Sequence, residues 1–198
     1  MKSTLTALAL LATCGGAAFA QSGVPLNAGL PKTAPPEIMR PATVHAEVKG
    51  AGGKVIGEAT LTGAPGGVII RIEMTAGALM PGWHGVHLHE KGDCSDAAFT
   101  AAGGHVGHGM NGKMHGLLNS AGPEFGDLPN MNAPAAKTPF SAEFFSTLVV
   151  LGDTPVAGRA PLQDTDGSAI VIHASPDDQK TQPIGGAGAR VACAVIKK

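Results

Sequence analysis

The chain has 198 residues, one domain's worth once an export leader is set aside, with 14 Lys and Arg against 15 Asp and Glu. So balanced a charge argues against a nucleic-acid binder, which carries a basic excess. With 29 Gly, 15 Pro and no Tyr, beside runs rich in Val and Ile, the composition points to strands and turns rather than helices.

Residues 1–20 read as a signal peptide. Lys2 opens it, residues 5–12 are mostly apolar, and Ala18-Phe19-Ala20 before Gln21 fits a small-x-small cleavage site. The apolar stretch is too short for a membrane span. Lipid attachment at Cys14 is the rival reading, and Thr13 is a poor residue to precede it. Residues 21–41, rich in Pro and Ala, read as a flexible arm, which leaves a domain over 42–198. Cleavage leaves Cys94 and Cys193. An even count in an exported chain suggests a disulfide; the alternative is two buried thiols. The enclosed loop would stabilise the fold by roughly 4–5 kcal/mol on the chain-entropy account.

From residue 43 the pattern is β. Residues 43–48 alternate apolar and polar. A Gly-rich turn at 50–53 leads to a strand over 54–61, and another follows over 68–74 with Arg71 and Glu73 outward. Residues 82–89 form the next strand. Residues 90–139 carry little strand signal, and a loop of that length is usually functional. Strand signal returns at 142–150, at 168–173 after the Asp166-Gly167 turn, and at 190–196. Between the last two lies a second functional loop, 175–189. Seven or eight short strands joined by turns predict an antiparallel sandwich or barrel.

Trp83-His84-Gly85-Val86-His87-Leu88-His89 is the most informative stretch. Alternate side chains leave one face of a strand, so His87 and His89 aim two imidazoles at one point. Imidazole suits copper, zinc, iron and nickel. The long loop adds His105, His108, His115 and Asp127, and the strand over 168–173 ends in His173.

Read in order, five blocks resemble the Cu,Zn superoxide dismutases. They are His84 to Cys94, Ala102-Gly103-Gly104-His105, Gly122 to Asn130, Ile170-Val171-Ile172-His173-Ala174, and Gly188 to Cys193. The resemblance implies a Greek-key antiparallel sandwich, or flattened barrel, of about eight strands with two long functional loops. It implies copper held by His87, His89, His105 and His173, with His105 bridging to zinc, and zinc held further by His115 and Asp127. Asp177 would link ligands of the two metals, Arg190 would stand beside the copper channel, and Cys94 and Cys193 would form the disulfide. His84 matches a non-ligand histidine with a structural hydrogen bond, and Val86 replaces a usual aromatic residue.

One position departs from the pattern. Glu124 stands where the family has its remaining zinc histidine. Three outcomes are open: Glu124 binds zinc itself, His108 reaches in, or the zinc site is weak or empty. His108, Met110, Met114 and His115 also form a His/Met cluster whose donors suit Cu(I), although methionines here would more commonly pack the loop. His45 reads as a surface or edge residue, and Asp164 and Asp166 as turn residues.

The function implied is copper-dependent dismutation of superoxide to molecular oxygen and hydrogen peroxide in the periplasm, with Arg190 and His105 as catalytic residues. The second reading is a copper-binding or buffering protein on the same scaffold, with little turnover because the zinc site is altered. Superoxide is the expected partner, with no nucleic acid, and no membrane unless Cys14 is lipidated. Family members pair in different ways, so a homodimer is among the expected states.

Overall fold

The computed structural model describes residues 42–156 and 158–198. The leader and arm expected over 1–41, and Cys14 with them, lie outside the described residues. Eleven strands follow in chain order: β1 (Thr43–Gly50), β2 (Val55–Ala64), β3 (Gly67–Met74), β4 (Gly82–His84), β5 (Val86–His89), β6 (Met131–Ala133), β7 (Phe140–Ser146), β8 (Val149–Val150), β9 (Ala160–Pro161), β10 (Ser168–His173) and β11 (Arg190–Ile196). Only short 3-10 turns accompany them among the described residues.

Seven strands form one antiparallel sheet in the order β5-β10-β11-β1-β2-β3-β7. Its inward residues follow the period of two. On β3, Val68, Ile70, Ile72 and Met74 are buried while Arg71 and Glu73 face out. One core gathers Leu88 from β5, at one end of the sheet, with Ile70 and Phe144 from β3 and β7 at the other. The sheet therefore curls over a single core, as a flattened barrel does.

β10 is buried along its whole length. Ile170 and Ile172 point into the core, while Ala169 and Val171 pack outward against Phe99, Ala102 and Cys193. The loop after β5 lies over this outer face. Cys94 from that loop is bonded to Cys193 on β11, 99 residues away, with Cα atoms 5.8 Å apart. The outer face of β5 and β10, roofed by loops, is where the histidines gather.

Two predicted strands divide. The run 82–89 breaks at Gly85 into β4, paired with β6, and β5, paired with β10. Gly85 donates its N–H to the Ser175 carbonyl, and a Cβ on it would sit 2.9 Å from Ala187 Cβ. The return of the second loop onto this point breaks the ladder, and only glycine admits that approach. The run 142–150 splits where Ser146 Oγ accepts from Leu148 N, and β8 turns to pair with β9 instead.

Candidate metal centre

His87 and His89 leave β5 on its outer face, opposite Val171 and Ala169 of β10. His173 ends β10 at a register shift. His105 comes from the long loop and bridges to His89 as an isolated β-pair. The ring of His87 lies 4.2 Å from that of His105 and 4.8 Å from that of His173, and the rings of His89 and His105 are 5.1 Å apart, centroid to centroid. The alternation of the H-x-H strand thus brings its two rings to one place.

The outer nitrogen of each ring is occupied. His87 Nε2 donates to Asp177 Oδ2 at 2.8 Å, His89 Nδ1 to the Gly103 carbonyl at 2.9 Å, and His173 Nδ1 to the Gly188 carbonyl at 3.0 Å. His105 Nδ1 meets Glu124 Oε2 at 2.9 Å and Asp127 Oδ1 at 3.3 Å. The inner nitrogens, His87 Nδ1, His89 Nε2, His105 Nε2 and His173 Nε2, are buried without a hydrogen-bond partner. A buried polar atom without a partner costs about 1–3 kcal/mol. His87, His89 and His105 each offer a ligand atom within 4.8 Å of the others, with the His173 ring 4.8 Å from that of His87; with their tautomers fixed from outside, these rings suit a transition-metal ion. Burial pushes the His89 ring down to about 2 and the His173 ring to about 4, and lowers His87 as well. These rings stay neutral and keep their lone pairs.

On the far side of His105 lies a second group. His105, His115, Glu124 and Asp127 each offer a ligand atom within 4.8 Å of all the others, and all four residues are buried. His115 Nδ1 bonds Asp127 Oδ1 at 2.7 Å. The other Asp127 oxygen is held by the N–H groups of Gly116 and Glu124 at 2.7 and 2.9 Å, so Oδ1 is left to face the rings. Two imidazole nitrogens with two carboxylate oxygens suit zinc. Burial opposes charge on His115 and His105, but the neighbouring carboxylates outweigh it. They raise His115 to about 10 and raise His105 too. Burial likewise opposes charge on Glu124, Asp127 and Asp177, and the histidines hold all three below their ordinary values.

Asp177 joins the two groups. Its Oδ1 accepts from His115 Nε2 at 3.1 Å while Oδ2 takes His87 Nε2. Asn130 clamps it from behind, Nδ2 to the Asp177 carbonyl and Oδ1 from the Asp177 N–H. Gly185, at φ +58°, leaves room for the carboxylate; a Cβ there would overlap Asp177 Oδ1.

Arg190, half-buried at the start of β11, donates Nη1 to the Phe99 carbonyl at 2.6 Å and Nη2 to the Gly103 carbonyl at 2.7 Å. It pairs with neither Asp177 nor Glu124. With His89, His105, His108, Pro183 and Ile184 it lines a cavity of about 310 Å³.

Other sequence readings resolve as follows. His84 is buried outside the clusters, Nδ1 to the His173 carbonyl at 2.7 Å and Nε2 to that of Met80 at 2.8 Å. His45 is exposed beside Glu58. Asp164 Oδ1 accepts from Gly167 N in the turn. Met110 and Met114 stay 54% and 43% exposed, so they do not pack into the core. The carbonyls of Phe99, Gly103 and Gly188 and the clamp from Asn130 went unforeseen. Carbonyls carry no side-chain signal, and Asn130 was legible only as part of a motif.

Residues 55–196 match the sequence pattern of the copper/zinc superoxide dismutase family. The chain is 53% identical over 152 residues to a Cu-Zn superoxide dismutase of Caulobacter vibrioides, covering 77% of this chain and 84% of that one. It is 38% identical to one from Aquifex aeolicus over 77% and 85% of the two chains. Among solved structures, a superoxide dismutase-like protein from Bacillus subtilis superposes with a TM-score of 0.69 at 30% identity, covering 78% of this chain and 99% of that one. The Cu/Zn superoxide dismutase of Brucella abortus superposes with a TM-score of 0.58 at 28% identity, over 78% and 99%.

Proposed function

The chain belongs to the copper/zinc superoxide dismutase family, and from that premise we propose how its own residues carry out superoxide dismutation. His87 Nδ1 and the Nε2 atoms of His89, His105 and His173 would hold copper. His105, His115, Asp127 and Glu124 would hold zinc. The observation that carries this reading is the four partnerless buried imidazole nitrogens, three of them on residues whose ligand atoms lie within 4.8 Å of one another.

Bound there, copper supplies the one-electron exchange by which two superoxide anions and two protons become O2 and H2O2, and zinc adds positive charge behind His105. Arg190 docks the anion. Its guanidinium is fixed by two carbonyls in the wall of the cavity it shares with His89 and His105. His105 is the only ring facing both groups, and its Nε2 is where a proton can be held beside the substrate. Asp177 keeps the rings of His87 and His115 in register, so the two groups move as one.

We assign the catalytic domain to 42–198, the leader to 1–20 and the arm to 21–41. An exported, periplasmic location suits a disulfide, which persists in oxidising compartments. A homodimer is among the states open to the chain, and sedimentation would measure it. The test of function is metal analysis of the purified protein, followed by dismutation assays with and without cyanide. Both metals bound with cyanide-sensitive activity support the reading. Copper bound without dismutation overturns it in favour of copper buffering.

A further inference from the structure

The departure at Glu124 has a counterpart sixteen residues earlier. Glu124 is 1% exposed, and a buried carboxylate must satisfy both oxygens or lose stability. Oε2 faces His105 Nδ1 at 2.9 Å, on the side of the proposed zinc position. Oε1 faces His108 Nδ1 at 2.6 Å. The two rings that grip this one carboxylate come from one turn, closed by a bond from the His108 N–H to the His105 carbonyl at 3.0 Å. His108 is not among the four residues whose donor atoms converge.

An imidazole ligand presents one lone pair in one direction. A carboxylate presents two oxygens and can swing between binding through one or both. Replacing histidine by glutamate therefore trades a fixed single donor for an adaptable one. An N–H that occupies the outer oxygen removes that freedom.

We propose that His108 is a positioning residue that compensates for the glutamate. Its Nδ1–H takes Oε1 of Glu124 and leaves Oε2 as a single donor toward zinc. The proposal rests on the reading of Glu124 as a zinc ligand. It extends to this position the general pattern in which a metal ligand is oriented by a hydrogen bond from behind. The His108 ring also borders the cavity of His89, His105 and Arg190, so the residue that orients Glu124 also walls the substrate approach. Its side chain is 58% exposed, so the fold does not depend on it.

The test compares His108→Ala, His108→Asn and Glu124→Ala in the full-length, copper-loaded protein, with zinc removed and then titrated back. Asparagine carries its amide N–H on the same atom of the side chain that bears Nδ1 in histidine. Two readouts are taken: the zinc dissociation constant by chelator competition, and the visible spectrum after cobalt is placed at the zinc position. Four-coordinate cobalt absorbs more strongly than five-coordinate cobalt. His108→Ala should weaken zinc binding by about 10- to 100-fold and reduce the cobalt absorption, as removal of such an orienting partner does elsewhere. His108→Asn should restore both. Wild-type zinc binding and cobalt spectrum in His108→Ala, with both altered in Glu124→Ala, would overturn the positioning role and leave the ligand reading intact. Loss in His108→Ala without rescue by asparagine would also overturn it, since His108 would then be acting through its ring as a ligand. If Glu124→Ala changes neither readout, the ligand reading itself fails, and the positioning role with it.

Discussion

Stripping both metals and lowering the pH should destabilise this protein from about pH 6.5 downward. His89 is fully buried and His173 1% exposed. Burial holds their folded values at about 2 and about 4, against 6.5 for a free ring, and the bonds to the Gly103 and Gly188 carbonyls only partly offset it. Because the folded values lie below the unfolded one, the unfolded chain binds protons that the folded chain refuses. Stability is therefore complete above about pH 6.5 and falls as the pH drops, by up to about 1.4 kcal/mol per pH unit for each ring. Between pH 6.5 and 4, His89 and His173 each contribute a loss of about 3 kcal/mol, against a typical total stability of roughly 5–15 kcal/mol. His87 moves the same way.

Most other groups act outside that window; Glu124, held below its ordinary 4.5, adds a smaller loss only as the pH approaches 4. His115, raised to about 10, contributes stability that is complete below 6.5 and lost only as the pH rises through 10. Asp127 and Asp177, held below their ordinary 3.8, lose their contribution only under stronger acid. Urea unfolding of chelator-treated protein, followed by circular dichroism at pH 7, 6, 5 and 4.5, measures the slope. A change under about 1 kcal/mol between pH 6.5 and 4.5 would refute the reasoning. Replacing His89 and His173 by glutamine should flatten the curve.

Gly185→Ala forces the Asp177 carboxylate away from its histidines; chelator competition should show metal affinity weakened about 10- to 100-fold. Arg190→Ala removes the docking charge while leaving the metal donors in place. The second-order rate with superoxide should fall roughly 10- to 100-fold, the worth of a charge-assisted hydrogen bond of about 1.5–3 kcal/mol, and should lose salt dependence. Cys193→Ser opens a closure of 99 residues and should lower the unfolding free energy in urea by about 4–5 kcal/mol.

The legible parts of this fold are those governed by period and composition. The last two large strands, Ser168–His173 and Arg190–Ile196, match their predicted bounds, because β-branched runs there end abruptly in Gly- and Asp-rich loops. The H-x-H pair was legible for the same reason: a period of two needs no knowledge of the rest of the chain. The break at Gly85 was not, because it is imposed by residues about ninety positions away that return to Ser175 and Ala187. The bond from His108 to Glu124 was hidden for a related reason. The spacing of His108 leaves it open as a ligand, and its contact with Glu124 depends on the turn closed by its N–H onto the His105 carbonyl.

The long loop gains its order from shared acceptors. The Gly103 carbonyl receives both His89 Nδ1 and Arg190 Nη2, so one oxygen sets the tautomer of the His89 ring and the position of the Arg190 guanidinium. The Phe99 carbonyl, four residues earlier, takes the other arm of Arg190, and Phe99 packs with Cys193 and Cys94 around the disulfide. Two residues beyond Gly103 stands His105, which faces both clusters. A segment of seven residues, tied covalently to β11 just before it, therefore places Arg190, the His89 tautomer and the His105 ring relative to one another. That explains how a loop so poor in strand signal can hold a fixed geometry. Its backbone groups are bonded to the side chains that line the clusters, so on the proposed function loosening the loop and misplacing the site are the same event.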